Sequence, residues 1–347
     1  MTGAPIETDA LVIGAGPVGL WQVFQLGLQD IRCHVIDALP GGGGQPAELY
    51  PGKPIYDIPG LPVCSGQELM DRLQQQVRPF APSLHLGQTV TGLVRRDDAR
   101  FDVQTSAGTG FIARSVFIAA GVGAFQARPL KLEGIEAFEG SQVFHRPQDP
   151  EAFAGLQVVV HGGEEHAVDW ALRLADAARP PASITLLHRR DVFQADAPDL
   201  ARLQALTEQG RIGRSIGQPL GLKVQDGRLT GIEIVTPDDQ TRVQPLDALL
   251  VCLGLSPRLG PIADWGLAME RKQLVVDTAG FETSVPGIHA VGDINTYPGK
   301  KKLILCGFHE ATLAAFAAAA RLFPDQRTLL QYTTTSPKLH RLLGVGG

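Results

Sequence analysis

The feature that most constrains this chain is the stretch Leu11-Val-Ile-Gly-Ala-Gly-Pro-Val-Gly-Leu20. A short β-branched run leads directly into G-x-G-x-x-G at Gly14, Gly16 and Gly19, and a helix-like stretch follows to about Gln29. Each glycine answers a separate steric demand. Gly14 permits a tight strand-to-helix turn, Gly16 lets the backbone approach a pyrophosphate, and Gly19 lets the helix lie close to the strand. Phosphates would rest on the helix N-terminus, where unpaired N–H groups and the helix dipole favour an anion. The next strand, Ile31-Arg-Cys-His-Val-Ile36, ends in Asp37, a carboxylate placed to bind ribose hydroxyls. Strand, glycines, helix, strand and acid in this order predict the opening βαβ unit of a dinucleotide-binding α/β domain.

At 347 residues the chain is long enough for two such domains, each with its own core. With 44% hydrophobic residues, 19% charged residues and a net charge of -5, it has neither the basic balance of a nucleic-acid binder nor an acidic disordered tail. The N-terminus lacks a basic region followed by an apolar one, and no apolar run approaches the ~18 residues of a membrane span. The expectation is a cytoplasmic protein with no nucleic-acid partner and no membrane segment. Cys33, Cys64, Cys252 and Cys306 are isolated, with no C-x-x-C pair. That excludes the usual dithiol redox centre, argues against a metal site, and leaves each cysteine as a small buried apolar side chain.

Beyond Asp37 lies Gly41-Gly-Gly-Gly-Gln-Pro-Ala-Glu-Leu-Tyr50 and then a proline-rich run to Gly60, through which neither helix nor strand is expected. Long connections of this kind are more often functional than structural. Tyr50 and Tyr56 could cover a flat ring or pin the loop to the core. Residues 66–80 are helical in pattern, and 89–120 read as short strands ending in Ala119-Ala-Gly-Val-Gly123. The pattern then restarts: a strand Val158 to His161, the glycines Gly162 and Gly163, a helix over about 167–178, and a strand Ala182 to Leu187 ending in His188-Arg189-Arg190. Weakly amphipathic strands are expected from there to about Leu253. Near the C-terminus a strand reaches Gly292-Asp293, followed by an alanine-rich helix over about 307–322. Asp293 by itself reads equally as a cap or as a ligand.

This order of motifs resembles the thioredoxin-reductase-like flavoproteins. The words Gln45-Pro-Ala-Glu-Leu-Tyr50, Gly121-Val-Gly-Ala-Phe125, Leu259-Gly-Pro-Ile-Ala-Asp-Trp-Gly-Leu267 and Gly292-Asp-Ile-Asn-Thr-Tyr-Pro-Gly-Lys-Lys-Lys-Leu303 are similar to ferredoxin/flavodoxin-NADP reductase of the homodimeric bacterial type. The resemblance implies an α/β fold of two Rossmann-like, three-layer ββα domains. A discontinuous FAD-binding domain would comprise 1–122 and 281–347, with an NADPH-binding domain at 123–280 inserted. It also implies that Gly14, Gly16, Pro17 and Gly19 hold the FAD pyrophosphate, Asp37 its ribose and the backbone around Val90 its adenine. Gln45, Phe125 and Asp293 would line the rest of the site. Tyr50 would stack on one flavin face, and Tyr332, from a C-terminal extension, would cover the other where a His is common. These two are the expected catalytic residues, with Thr333, Thr334 and Thr335 bonding nearby.

The chemistry implied is hydride transfer from NADPH to flavin N5, then single electrons to ferredoxin or flavodoxin; without C-x-x-C, electrons must leave the flavin directly. His188, Arg189 and Arg190 stand where an acid would select NADH, and two guanidinium groups there match a 2′-phosphate. Lys300, Lys301 and Lys302 form either a landing patch for an acidic carrier or a solvated loop. Three departures stand against this reading. Glu164 occupies the second glycine position of the Gly162–Ala167 loop, where its side chain obstructs a pyrophosphate and its charge repels it. His309 replaces a glycine usual beside the flavin, and Tyr332 replaces His. Either the loop is rebuilt and NADPH binds more weakly, or another donor is used. The alternatives are a diaphorase with a quinone or another redox protein as acceptor, and an FAD-binding sensor with impaired pyridine-nucleotide binding.

Overall fold

The computed structural model describes residues 4–49, 51–145, 147, 149–326 and 332–345. The chain divides into two compact units, one formed by Met1–Ala124 with Pro257–Gly347 and the other by Phe125–Ser256.

The first unit opens with β1 (Ile6–Ile13), α1 (Pro17–Leu28) and β2 (Cys33–Ile36). Residues 10–13 of β1 are all buried, as expected of a parallel strand covered on both faces. Pro17 is the first residue of α1, where its missing N–H removes no helical bond. The glycine-rich segment then makes a five-residue helix, α2 (Gly44–Glu48), and a two-residue hairpin pair, β3 (Pro54–Ile55) with β4 (Cys64–Ser65). The expectation that neither helix nor strand runs through it is therefore corrected. α3 (Gly66–Val77) starts at a reciprocal capping box: the Ser65 hydroxyl accepts from Glu68 N–H and the Glu68 carboxylate accepts from Ser65 N–H. There follow β5 (Ser83–His85), β6 (Val90–Arg95), β7 (Phe101–Thr105), β8 (Gly110–Ile118) and β9 (Ala124–Ala127), at which the chain leaves the unit.

The second unit carries β10 (Val143–Phe144), β11 (Gln157–His161), α4 (Glu165–Asp176), β12 (Ser183–His188), α5 (Ala197–Glu208) and β13 (Gly213–Ile216). An antiparallel meander, β14 (Gln218–Gln225), β15 (Arg228–Val235) and β16 (Thr241–Pro245), precedes β17 (Ala248–Val251). Its main sheet is parallel, in the order β10-β17-β11-β12-β13. Alternating residues feed two cores: Val158 and Val160 face the cluster built on α4 and α5, and Val159 faces the cluster shared with the meander. The helix α5 corrects the expectation of uninterrupted strands up to Leu253.

The chain returns through β18 (Leu255–Arg258) to β19 (Met269–Glu270), β20 (Gln273–Val275), β21 (Ile288–Ala290), β22 (Asn295–Thr296), α6 (Ile304–Leu322) and α7 (Pro337–Leu343). The first unit's sheet runs β5-β2-β1-β8-β7-β6. The nine-residue β8 pairs with β7 through its first half and with β21, in parallel, through Val116–Ile118. The return comes before Phe281 because Ile262, Leu267, Leu274 and Val276 pack into this unit's core.

Candidate functional site

The first glycine loop is tied to β2 by the Gly14 N–H, which donates to the Ile36 carbonyl at 2.8 Å. A Cβ on Gly14 would stand 2.4 Å from the Ala119 carbonyl oxygen, and one on Gly19 only 1.9 Å from the Gly14 carbonyl oxygen. Protein packing alone therefore requires two of the three glycines. Gly16 differs: the nearest atom to its Cβ position is Gly44 Cα at 3.7 Å, and it caps α1 without any side chain accepting from the first-turn amides. Donors without a capping side chain, with no Cβ over them, make the local arrangement an anion would occupy.

Asp37 closes the other side of the loop. Its carboxylate accepts from Ala15 N–H at 2.5 Å and from Leu39 N–H at 2.7 Å, and the residue is buried. Burial pushes its pKa up, the two backbone bonds oppose that, and Glu48 adds to the rise. Each oxygen keeps a free lone pair, so further donors such as ribose hydroxyls would relieve an under-solvated acid. The Asp37 backbone bonds His85 O and is bonded by Gln88 N–H, which brings the segment leading into Val90 alongside; Val90 itself is buried opposite Thr105.

Gly42, Gly43 and Gly44 all have positive φ, and Gly43 N–H donates to Ala15 O at 3.0 Å, folding the glycine-rich segment over the loop. The Gln45 amide then lies 3.8 Å from the Cβ position of Gly121. Gly292, at φ +81°, packs on Val18 of α1, as does Gly307 of α6, so the Gly292-Asp293 turn also meets the N-terminal end of α1. Burial raises the Asp293 pKa, while Lys300 and Lys302 pull it down. Tyr50 and the side chain of Phe125 lie outside the described residues.

Sequence reading missed the group beneath that turn. Glu310 of α6 is fully buried; its carboxylate accepts from Gly292 N–H at 2.7 Å, Asn295 Nδ2 at 2.9 Å, the Tyr297 hydroxyl at 2.9 Å and Lys300 Nζ. Lys300 Nζ also donates to Gly292 O at 2.9 Å, and its side chain is 7% exposed. The reading of Lys300 as part of a surface patch or solvated loop is thus corrected, whereas Lys301 and Lys302 are exposed. The available signal was a lone carboxylate in an otherwise apolar helix, Ile304-Leu-Cys-Gly-Phe-His-Glu310 running on into alanines.

The C-terminal residues are not drawn into this cluster by any described contact. Tyr332 is 69% exposed, and Thr333, Thr334 and Thr335 form an exposed single turn. The following α7 is held by Lys338, which donates to Gly27 O and pairs with Asp30 at the far end of α1. His309 is exposed, its ring edge-on to Phe281.

In the second unit, Gly162 is required because a Cβ there would lie 2.2 Å from the Cys252 carbonyl oxygen, and Gly163 because one would lie 2.4 Å from the His188 ring. His188 Nδ1 donates to the Arg190 and Val192 carbonyls, so this histidine closes the turn beneath the loop. Arg189 and Arg190 are exposed and form no ion pair among the described residues. Glu164 caps α4 in an extended conformation, makes no side-chain cap bond, and has its carboxylate 3.1 Å from the Cβ position of Gly254.

Two βα glycine turns, one in each unit, define a class. The profile of the pyridine nucleotide-disulphide oxidoreductases matches residues 8–317, and the chain belongs to that family. Within it, similar relatives include ferredoxin–NADP reductases. The chain is 61% identical over 341 residues to the ferredoxin–NADP reductase of Leptothrix cholodnii, covering 98% of this chain and 92% of that one. It is 57% identical over 343 residues to ferredoxin–NADP reductase 2 of Cupriavidus metallidurans, covering 99% and 93%. Among solved structures it resembles the thioredoxin reductase of Lactococcus lactis, with TM-score 0.60, 23% identity and coverage of 92% and 100%. It also resembles the bacillithiol disulfide reductase of Staphylococcus aureus, with TM-score 0.64, 16% identity and coverage of 91% and 99%. These structural likenesses establish a thioredoxin-reductase-like α/β fold with two Rossmann-like domains.

Proposed function

We propose that the protein is an FAD-dependent ferredoxin–NADP+ reductase, taking electrons from NADPH and delivering them singly to ferredoxin or flavodoxin. The observation that carries the reading is the convergence, in the first unit, of the α1 N-terminus at Gly16, which no side chain caps, the doubly bonded Asp37 and the Gly292-Asp293 turn. The first unit is then the FAD-binding domain and the second the NADPH-binding domain. Bound there, FAD supplies the conversion between a two-electron hydride and one-electron steps, which no side chain of the chain provides.

The residues divide the remaining work. The backbone from Gly14 through Gly16 and Pro17 to Gly19 binds the pyrophosphate, Asp37 the ribose, and the backbone at Val90 the adenine. Gln45, Phe125 and Asp293 orient the flavin and Tyr50 covers one face; Tyr332 at the other face, with Thr333, Thr334 and Thr335 beside it, rests on the resemblance alone. Gly162 and Gly163 shape the second loop, His188 positions the turn, and Arg189 and Arg190 take the 2′-phosphate. Burial pushes the Cys33 and Cys252 thiols up to about 12, so neither offers a thiolate for disulfide exchange near neutral pH. Lys301 and Lys302 contribute to the contact with an acidic carrier. The protein works in the cytoplasm, as a homodimer on the strength of its resemblance to the homodimeric reductases. Among the described residues no helix is long and apolar enough to cross a membrane.

Glu164 favours a second reading, in which FAD is kept but pyridine nucleotide binds poorly. The test is anaerobic titration of the yellow protein, after identifying the released flavin. Bleaching by NADPH at lower concentration than by NADH is expected. A protein holding FAD yet indifferent to both nucleotides would support the second reading, and one that cannot be reconstituted with FAD would overturn both.

A further inference from the structure

We infer that the buried Lys300–Glu310 ion pair is the positioning device of the flavin site: it grips the Gly292 peptide groups on both sides and thereby aims the Asp293 carboxyl group at the cofactor. The inference rests on the reading of the first unit as the FAD-binding domain. Gly292 sits at a positive φ that only glycine adopts without strain, and the turn is closed by Asn295 N–H donating to the Gly292 carbonyl at 3.2 Å. The pair adds a second, charged hold on the same peptide groups. Glu310 accepts the Gly292 N–H while Lys300 donates to the Gly292 carbonyl, so the two peptide planes flanking this one α-carbon are held by opposite charges. Asn295 and Tyr297 complete the shell around the carboxylate, and Gln273 Nε2 bonds the Asp293 and Asn295 carbonyls from the other side.

A buried ion pair is weak evidence for stability, because desolvating both charges offsets most of their attraction. Its place under a turn that packs on the start of α1 points to another role, and orienting the residue that follows is the one the bonds describe. The same charges act on Asp293, whose carboxyl is pushed up by burial, down by Lys300 and Lys302 and up by Glu310. Burial, then the bond to Glu310, also pushes the Tyr297 hydroxyl up, so it remains a donor to the pair.

The test compares the FAD-loaded protein with Glu310→Gln, Asp293→Asn, their combination, and Lys300→Met/Glu310→Gln. The last removes both charges together while the amide oxygen still accepts from Gly292 N–H and Asn295 Nδ2, and it keeps the test alive if Glu310→Gln alone does not fold. FAD dissociation constants are read by flavin fluorescence on reconstitution, the flavin midpoint potential by anaerobic titration, and folding by thermal unfolding without FAD. Either pair variant is expected to weaken FAD binding about tenfold or more. In the Asp293→Asn background, Glu310→Gln is expected to add less than about twofold, since the residue it positions has already lost its charge. Glu310→Gln, leaving Lys300 uncompensated, is expected to raise the flavin potential. Pair variants that fold and bind FAD like the unchanged protein would overturn the inference, as would losses from Glu310→Gln and Asp293→Asn that simply multiply. An unchanged protein that binds no FAD would instead remove the flavin reading itself, and the inference with it.

Discussion

In the proposed NADPH-binding domain, Glu164 is the residue expected to limit nucleotide binding. It stands as the N-cap of α4, where a pyrophosphate would approach, and its carboxylate lies beside Gly254. An anion arriving there meets like charge. Glu164→Gly is expected to tighten NADPH binding about tenfold, and Glu164→Gln, which keeps the bulk but not the charge, to recover part of that gain. Fluorescence titration reads both, and unchanged affinity in both would show that the pyrophosphate sits elsewhere. Arg189 and Arg190 should act in the opposite sense. Replacing either by alanine is expected to weaken NADPH binding roughly tenfold to a hundredfold while leaving NADH unaffected, since a charge-assisted bond contributes about 1.5–3 kcal/mol. Equal losses for both nucleotides would refute the 2′-phosphate role.

At the scale of elements, what was legible in the sequence was local. The β1–α1–β2 unit announces itself because its glycines, its proline and its terminal acid lie within one short stretch. The helix α5 does not. Only Leu203 and Leu206 of its twelve residues are buried, so its apolar periodicity is faint; the better signal was Asp196, which accepts from Asp199 N–H as an N-cap. α2 is too short for any periodicity, and none of its residues is buried. β11 carries a prediction of its own through His161, buried at its end with Nδ1 donating to Leu187 O. Burial lowers its pKa from 6.5 to about 4, against the raising effect of that bond, with His188 lowering it further. The unfolded chain therefore binds a proton below about pH 6.5 that the fold refuses until about pH 4. The contribution of neutral His161 is fully present above that range and lost as pH falls through it, at about 1.4 kcal/mol per pH unit. Between pH 7 and 5 the melting temperature of a His161→Phe variant should fall less than that of the unchanged protein. Parallel declines would contradict this.

For the molecule as a whole, the motif pattern shows only that a second strand, glycine turn, helix and strand begin at Val158; that the chain then goes back to its first domain is what the resemblance implied. The point of return was not legible. Ile262, Leu267 and Leu274 belong to a core whose members run from Ala10 to Leu322, and no local pattern records that. The Glu310 cluster escaped although its donors lie only 10 to 18 positions away, since no periodicity marks a segment that folds back onto the helix that follows it. Because residues 125–256 are contiguous and carry their own two cores, that segment expressed alone is expected to melt cooperatively. A fragment without a thermal transition would contradict the division into two units.

The proposed route takes electrons from NADPH through this flavoprotein directly to a one-electron carrier. It is tested most directly by mixing the FAD-loaded protein anaerobically with NADPH and a ferredoxin, and following the iron–sulfur absorbance. Catalytic reduction of ferredoxin by NADPH, faster than by NADH and without NADPH-dependent reduction of thioredoxin disulfide, is the predicted result. Turnover of the disulfide with no reduction of ferredoxin would contradict it.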